Sequence, residues 1–319
     1  MVNRSDGAKD EGIEDALFDM AALPRQELPA PALYVVATPI GNAADITLRA
    51  LWVLRRVDAI AAEDTRATRP LLARFGIATP LFAAHQHNEA SAAADIVARL
   101  QTGVRIALVT DAGSPAISDP GAAIVRAVRA AGFRVVPIPG ASSLTAAASV
   151  AGLRASRLHF AGFLPPAKAA RARLLAEAAR APDAALVVFE APHRIAASAR
   201  EIAAAFDSQR RVIVAREITK RFEAIDEVGA GDLPAWLEQA EARGEGRGEY
   251  VLIVDAPEAG PAADAEILEE IDPVTRNWLE VLAAEMKPAR AAALAARASG
   301  LSRDLLYRAL LQGRPAVEE

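Results

Sequence analysis

The chain has 319 residues, long enough for more than one domain, with 52% apolar side chains, 5% aromatic ones and no cysteine. The lack of thiols excludes disulfides, thiol nucleophiles and cysteine-bound metal, and no apolar run reaches the about 18 unbroken residues of a membrane span. A net charge of −5 hides an uneven distribution: Pro257–Pro273 has six acids and no base, whereas Lys287–Arg314 has six bases against the single acid Asp304.

Residues 1–30 carry seven acids and three bases. They show no sustained periodicity and read as a flexible acidic tail. Acid stands where a secretory signal would need a basic start, so a cytoplasmic protein without a membrane contact is expected. An N-terminal α/β domain is expected over 31–152. Its apolar runs predict strands at 32–37, 57–62, 105–110 and 134–138. Amphipathic stretches predict helices at 45–56, with Asp45 as N-cap, and at 66–74, 89–101 and 120–131. Such alternation implies a parallel sheet covered on both faces.

A second α/β domain is expected over 153–256. Strands are predicted at 158–162, 184–189, 211–217, 222–229 and 249–255, and helices near 168–180, 193–205 and 232–242. Only a few residues separate the strands at 211–217 and 222–229, which favours antiparallel pairing and a mixed sheet. An acidic linker, 257–273, then leads to a basic helical module, 274–319. There Ala296, Gly300 and Leu306 have the spacing of a helix-turn-helix, with Ser302 as a cap of the second helix. The local positive charge makes Arg303 and Arg308 candidate nucleic-acid contacts.

Four loops follow predicted strands: "TPIGN" (38–42), "AEDTR" (62–66), "DAGSP" (111–115) and "PGASS" (139–143). Strand carboxyl ends are where open α/β sheets gather ligands. Gly, Pro and Asp are also ordinary turn formers, but four such loops in register point to a site. No dinucleotide or P-loop fingerprint is present, and the stretch "LVTDAGSPAISDPG" (108–121) contains no Lys or Arg. Small residues let backbone approach a ligand, and carboxylates favour a cation over a triphosphate. An adenosyl ligand with a positive sulfonium suits such a loop. The two histidines of "HQHNE" (85–89) lack a third ligand in the sequence, so no metal is expected. "FEAPHR" (189–194) and "AREITK" (215–220) are open to two readings, a salt-bridged surface or a functional edge.

Taken together, "LYVVATPIGNAADITLRA", "IAAEDTR", "HQHNE", "DAGSPAISDPG", "PGASS", "GFLPP", "EAPHR", "AREITK" and "GEYVLIV" resemble the small-subunit ribosomal RNA methyltransferases of the tetrapyrrole methylase (class III) superfamily. The resemblance runs from about Leu33 to Val254 and extends to the helical module. Ser114 stands where the family more often has Thr, and Lys168 is offset by one position after "GFLP".

The resemblance implies two α/β domains with S-adenosylmethionine in the cleft between them. It also implies 2′-O-methylation of a cytidine ribose in the decoding region of 16S rRNA, as naked RNA or assembled small subunit, by a homodimer. By motif, Pro39, Asp111, Gly113, Ser114, Pro115, Ile117, Ala141, Ser142, Phe163 and Ala215 are the expected cofactor residues. Glu63 or Asp64 is expected to handle the hydroxyl proton, and Arg66 to hold the phosphate backbone. Asn88, Arg194, Arg216 and Lys220 join Arg303 and Arg308 as expected RNA contacts. Two other readings stand beside this one. One is a small-molecule methyltransferase of the same superfamily, against which the basic module argues. The other is a non-enzymatic helix-turn-helix protein, which leaves the loop motifs unused.

Overall fold

The computed structural model describes residues 16–19, 21–85, 89–118, 120–181, 183–258 and 271–312. The chain forms two compact units, 1–256 and 257–319.

The first unit contains two five-stranded sheets. In the first, β1 (Ala32–Val36), β2 (Ala59–Ala62), β3 (Leu81–Ala83), β4 (Arg105–Val109) and β5 (Arg134–Ile138) lie in the order β3-β2-β4-β1-β5. All the pairings are parallel. Alternation along the strands splits their side chains between two cores. Ala32, Tyr34 and Val36 with Ala107 and Val109 face one core, built with helix α1 (Leu48–Arg56). Leu33, Ile106 and Leu108 face the other, built with α3 (Glu89–Gln101) and α4 (Ala122–Ala130). Helix α2 (Thr65–Arg74) follows β2. Both faces of the parallel sheet are thereby removed from water.

The second sheet comprises β6 (Arg157–Phe163), β7 (Ala184–Glu190), β8 (Arg211–Arg216), β9 (Ala224–Gly229) and β10 (Tyr250–Val254), ordered β6-β7-β10-β8-β9. Only β6 and β7 pair in parallel; β10 runs antiparallel to both β7 and β8, and β8 antiparallel to β9. The sheet is mixed, as the short 211–229 connection implies. One face packs on α6 (Lys168–Ala179), α7 (Ile195–Ala205) and α8 (Leu233–Ala242). The other is covered by α5 (Ser143–Val150), whose Ala147 is buried among Val187, Ile213 and Val251. Thus α5 leaves a strand of the first sheet and packs on the second, which locks the two sheets into one body.

Three corrections concern the N-terminal segment, a helix start and missing elements. The flexible tail expected over 1–30 does not hold for its described part: Phe18 and Leu23 are buried in the core that Ala32 and Tyr34 face, apolar anchors too sparse to show as a periodic pattern, and the Leu28 carbonyl accepts from Arg105 Nε at 3.0 Å. Asp45 does not cap α1. A short 3-10 turn, Ala43–Asp45, intervenes, capped by Asn42, and Thr47 caps α1 by accepting the Ala50 N–H at 3.1 Å. The three-residue β3 and helix α5 were not expected from the sequence.

The second unit holds α9 (Pro273–Glu285), α10 (Pro288–Ser299) and α11 (Arg303–Gln312) around Ile271, Leu279, Ala292, Ala295 and Leu306. Gly300 ends α10 at φ 77°, a left-handed position that glycine takes without a Cβ clash. Ser302 caps α11 by accepting the Leu305 N–H at 3.3 Å. No helix among the described residues is long and apolar enough to cross a membrane.

Candidate active site

The carboxyl ends of β1, β4, β5, β6 and β7 meet the start of β10 around a cleft of about 250 Å³. Because β10 is antiparallel to β7, its first residue, Tyr250, lies opposite Glu190 at the end of β7. One rim therefore collects loops from both sheets.

The floor is built by the loop after β4. Gly113 pairs its N–H and carbonyl with Thr38 at 3.0 and 2.9 Å, while the Thr38 hydroxyl donates to the Thr110 carbonyl at 3.0 Å. Gly113 sits at φ 78°, and a Cβ there would come within 3.4 Å of Ile40. Ala116 and Ser118 are also left-handed, both at φ 67°. Such backbone strain in non-glycine residues gathers at ligand sites. Across the cleft, a bulge between Phe160 and Gly162 breaks the register of β6. It turns Phe163 to 49% exposure, with its ring set edge-on to Phe189 at 5.8 Å.

Ala112, Gly113, Ser114, Ser142 and Ser143 line the cleft together with Ile40, Ile117, Ile218, Phe163 and Phe189. Its charged lining is Glu190, Glu249 and Lys220. Glu190 is buried and spoken for: it accepts from the Ala191 N–H at 2.9 Å and the Ser198 hydroxyl at 2.5 Å, and pairs with Arg194 at 3.3 Å. Lys220 Nζ donates to Glu217 at 2.8 Å and to Glu249 at 2.9 Å. Apolar walls, small residues, hydroxyls and a cation already neutralised by two carboxylates suit an adenosyl group carrying a sulfonium, and give a polyphosphate no grip.

Beside the cleft, an acidic cluster links the ends of β2 and β4. The Asp111 N–H donates to Glu63 Oε2 at 3.3 Å, and the Asp64 N–H to Asp111 Oδ1 at 3.1 Å. Burial pushes the Glu63 carboxyl above its ordinary pKa; the Asp111 N–H offsets part of this, while the charges of Asp111 and Asp64 add to it. Asp111 is also raised, by burial first. Asp64 behaves oppositely. The Arg66 guanidinium and N–H lower it to about 2, as it caps α2 and chelates Arg66 at 2.8–3.2 Å. The Arg66 side chain is 90% exposed.

Of the expected cofactor residues, Gly113, Ser114, Ile117, Ser142 and Phe163 line the cleft. Pro39, Asp111, Pro115 and Ala141 belong to the same loops without lining it. Ala215 is buried within β8, paired to Val251 and Ile225. Glu63, Asp64 and Arg66 come together around Asp111, beside the cleft rather than in its wall. The expected RNA contacts scatter. Lys220 is in the cleft wall, Arg194 is tied to Glu190, and Arg216 is only 7% exposed and donates to the Arg247 carbonyl. Arg303 is exposed on α11. Asn88 and the Arg308 side chain lie outside the described residues. Glu89, the last residue of "HQHNE", accepts the Gly121 and Ala123 N–H groups at 2.9 Å and so caps α4.

Sequence reasoning did not single out Ile40, Ser143, Ile218 or Glu249 as lining residues. The "GEY" motif was the available signal for Glu249. Among the described residues no group of three or more histidine and carboxylate side chains is placed to hold a metal ion.

The sequence profile of the tetrapyrrole (corrin/porphyrin) methylases matches residues 32–234, and that of the RsmI C-terminal HTH domain residues 269–314. A protein of Pseudomonas aeruginosa named ribosomal RNA small subunit methyltransferase I is 44% identical over 288 residues, covering 89% of this chain and 98% of its own. The protein of that name from Neisseria meningitidis serogroup B is 46% identical over 275 residues, covering 86% and 91%. The chain belongs to the ribosomal RNA small subunit methyltransferase I family of tetrapyrrole methylases. Among solved structures, the methyltransferase CobJ shares its fold with a TM-score of 0.53 at 21% identity, covering 72% of this chain and 97% of that one. The uroporphyrin-III C-methyltransferase of Thermus thermophilus, complexed with S-adenyl homocysteine, has a TM-score of 0.50 at 18% identity, covering 70% and 96%.

Proposed function

We propose that this protein methylates the ribose 2′-hydroxyl of a cytidine in the decoding region of 16S rRNA, with S-adenosylmethionine as donor. The observation that carries the reading is the cleft itself. Small, hydroxylic and apolar walls accept an adenosyl group, and a proton-accepting carboxyl cluster stands beside them. Membership of a family whose relatives are named for ribosomal RNA methylation supports the acceptor class.

Bound in the cleft, S-adenosylmethionine supplies an electrophilic methyl group on a positive sulfonium. Gly113, Ser114 and Ile117 would hold it from the first sheet, with Ser142 at the start of α5 and Phe163 from β6. Alignment of acceptor oxygen, methyl and sulfur is the main demand, and pre-positioning can lower such a barrier by up to about 7–11 kcal/mol. The acceptor hydroxyl must also lose a proton. Glu63 is better suited than Asp64, because burial raises its proton affinity whereas Arg66 keeps Asp64 ionised. Arg66, exposed beside the cleft, would meet the RNA backbone.

The reading extends to a homodimer acting in the cytoplasm, to 31–152 and 153–256 as its two α/β domains, and to the basic helices as added phosphate contacts through Arg303 and Arg308. The deciding experiment is transfer of labelled methyl from S-adenosylmethionine to small ribosomal subunits lacking ribose methylation, followed by nuclease digestion. Label on a cytidine 2′-oxygen is expected. No incorporation into either subunits or naked 16S rRNA, by protein that binds S-adenosylhomocysteine, would exclude RNA as acceptor.

A further inference from the structure

Lys220 is the one cationic side chain among the described residues that line the cleft, and the fold goes to some length to fix it there. Its stem lies against Gly41, where a Cβ would stand 2.4 Å from Lys220 Cγ. Glu217, one of its two partners, needs Gly248 in the same way, since a Cβ at that position would lie 2.5 Å from Glu217 Cγ. Glu217 also accepts the Glu249 N–H at 2.9 Å, and the Thr219 hydroxyl accepts the Asn42 N–H at 3.1 Å. Both Glu217 and Thr219 are held in left-handed conformations, at φ 52° and 67°. Strain kept by a network of this kind is a feature of functional loops.

The charge count selects the ligand. Two carboxylates outnumber the ammonium, so a phosphate gains little here. The ammonium keeps its proton, because its bonds to Glu217 and Glu249 outweigh the effect of burial. An ammonium has three donors and no acceptor, and the two carboxylates engage two of them. A neutral oxygen with a lone pair, such as a hydroxyl, suits the third.

From this geometry we infer that Lys220 is a catalytic residue that donates a hydrogen bond to the acceptor ribose hydroxyl, fixing its oxygen for attack, and that Glu217 and Glu249 are the positioning residues that aim it. In the step, the oxygen–carbon bond forms as the carbon–sulfur bond breaks with its electron pair going to sulfur. The hydroxyl proton leaves to the neighbouring carboxyl cluster. The inference rests on the ribose-methylation reading and adds to it the group that orients the nucleophile.

The test compares wild type, Lys220→Met and Lys220→Arg. Three readouts are taken: single-turnover methylation of unmodified small subunits, S-adenosylhomocysteine affinity by calorimetry, and subunit affinity by filter binding. The expected result is a roughly 10²-fold slower saturated rate in the Met variant, of the size seen when one preorganised donor is removed. Both affinities should stay within about threefold of wild type, and the Arg variant should recover part of the rate. A parallel loss of S-adenosylhomocysteine affinity would overturn the inference by assigning Lys220 to the cofactor wall. Loss of subunit affinity with an intact saturated rate would make it a backbone contact instead. An unchanged rate in the Met variant, with wild type active, refutes this inference alone. A wild type that binds S-adenosylhomocysteine but is inactive on both subunits and naked 16S rRNA refutes the RNA reading and the inference with it.

Discussion

Asp255, just beyond β10, is the buried hub that ties Arg154, Ala155 and Arg211 together. Its side chain is fully buried. Oδ1 accepts the Ala155 and Ala256 N–H groups at 3.1 and 2.8 Å. Oδ2 accepts the Arg154 N–H and Arg211 Nη1, both at 3.0 Å. Asp255→Asn preserves the volume but turns an amide NH2 toward donors. If the remaining carbonyl keeps Ala155 and Ala256, the Arg154 N–H loses its partner at a cost of about 1–3 kcal/mol. Arg211 loses its buried counter-charge but keeps Glu227 and the carbonyls of Ala151 and Gly152. The total should fall near the lower end of the about 3–5 kcal/mol for breaking a buried pair. At about 2–4 °C per kcal/mol for a unit of this size, the melting temperature should drop by about 6–12 °C.

The pH dependence supplies the second half of the check. Burial raises the Asp255 pKa, but the N–H groups of Arg154, Ala256 and Ala155 together with Arg211 outweigh it, so the folded value is depressed. A depressed carboxylate contributes stability above its unfolded value of about 3.9, and loses it as pH falls through the folded value. Scanning calorimetry of both proteins at pH 7.5 and down to pH 3 should therefore show a gap that is full at neutral pH and narrows in acid. A gap under 2 °C at pH 7.5 (about half a kcal/mol), or one of constant size down to pH 3, would refute the assignment of a buried, ionised Asp255.

Three further outcomes are expected. Glu63→Gln should slow methylation by about 10²–10⁴-fold with S-adenosylhomocysteine affinity retained. The acid limb of the wild-type rate profile, lying above the ordinary Glu value because burial raises Glu63, should vanish with it. Gly113→Ala forces a Cβ into a left-handed position at a cost of about 1–2 kcal/mol to the folded state, and scanning calorimetry should read a melting temperature lower by about 2–8 °C; an unchanged melting temperature would refute the strained position of the loop. Deleting residues 257–319 should weaken subunit binding and flatten its salt dependence by about 0.7 in log–log slope per lost phosphate contact. An unaltered slope would assign the helical unit to another role.

Where periodicity is strong, the sequence is a reliable guide: Glu89–Gln101 and Arg134–Ile138 form the helix and strand that their patterns predict, residue for residue. Helix α5 is hidden because its apolar stripe is mostly alanine and follows a loop rich in small residues. The cap of α1 is misread because Asp45 is a good capping residue by type, while Thr47, two residues later, is the one with a free helical turn to receive. In the site, loop glycines and carboxylates are legible as local motifs. The hub around Lys220 is not, since Gly41, Glu217 and Glu249 come from three separate places in the chain. The burial of Arg216 is equally invisible, because it depends on the carbonyl of Arg247, 31 positions away.

The place of β10 has a consequence for synthesis. It is the last strand of its sheet in the chain, yet it lies between β7 and β8. A nascent chain that has emerged only as far as residue 249 carries two apolar strands with no partner between them, and one wall of the cleft does not yet exist. Cofactor capture during translation should therefore begin only once residues 250–254 have cleared the ribosome. Until then the chain exposes two sheet edges that a chaperone, or a second unfinished copy, could occupy.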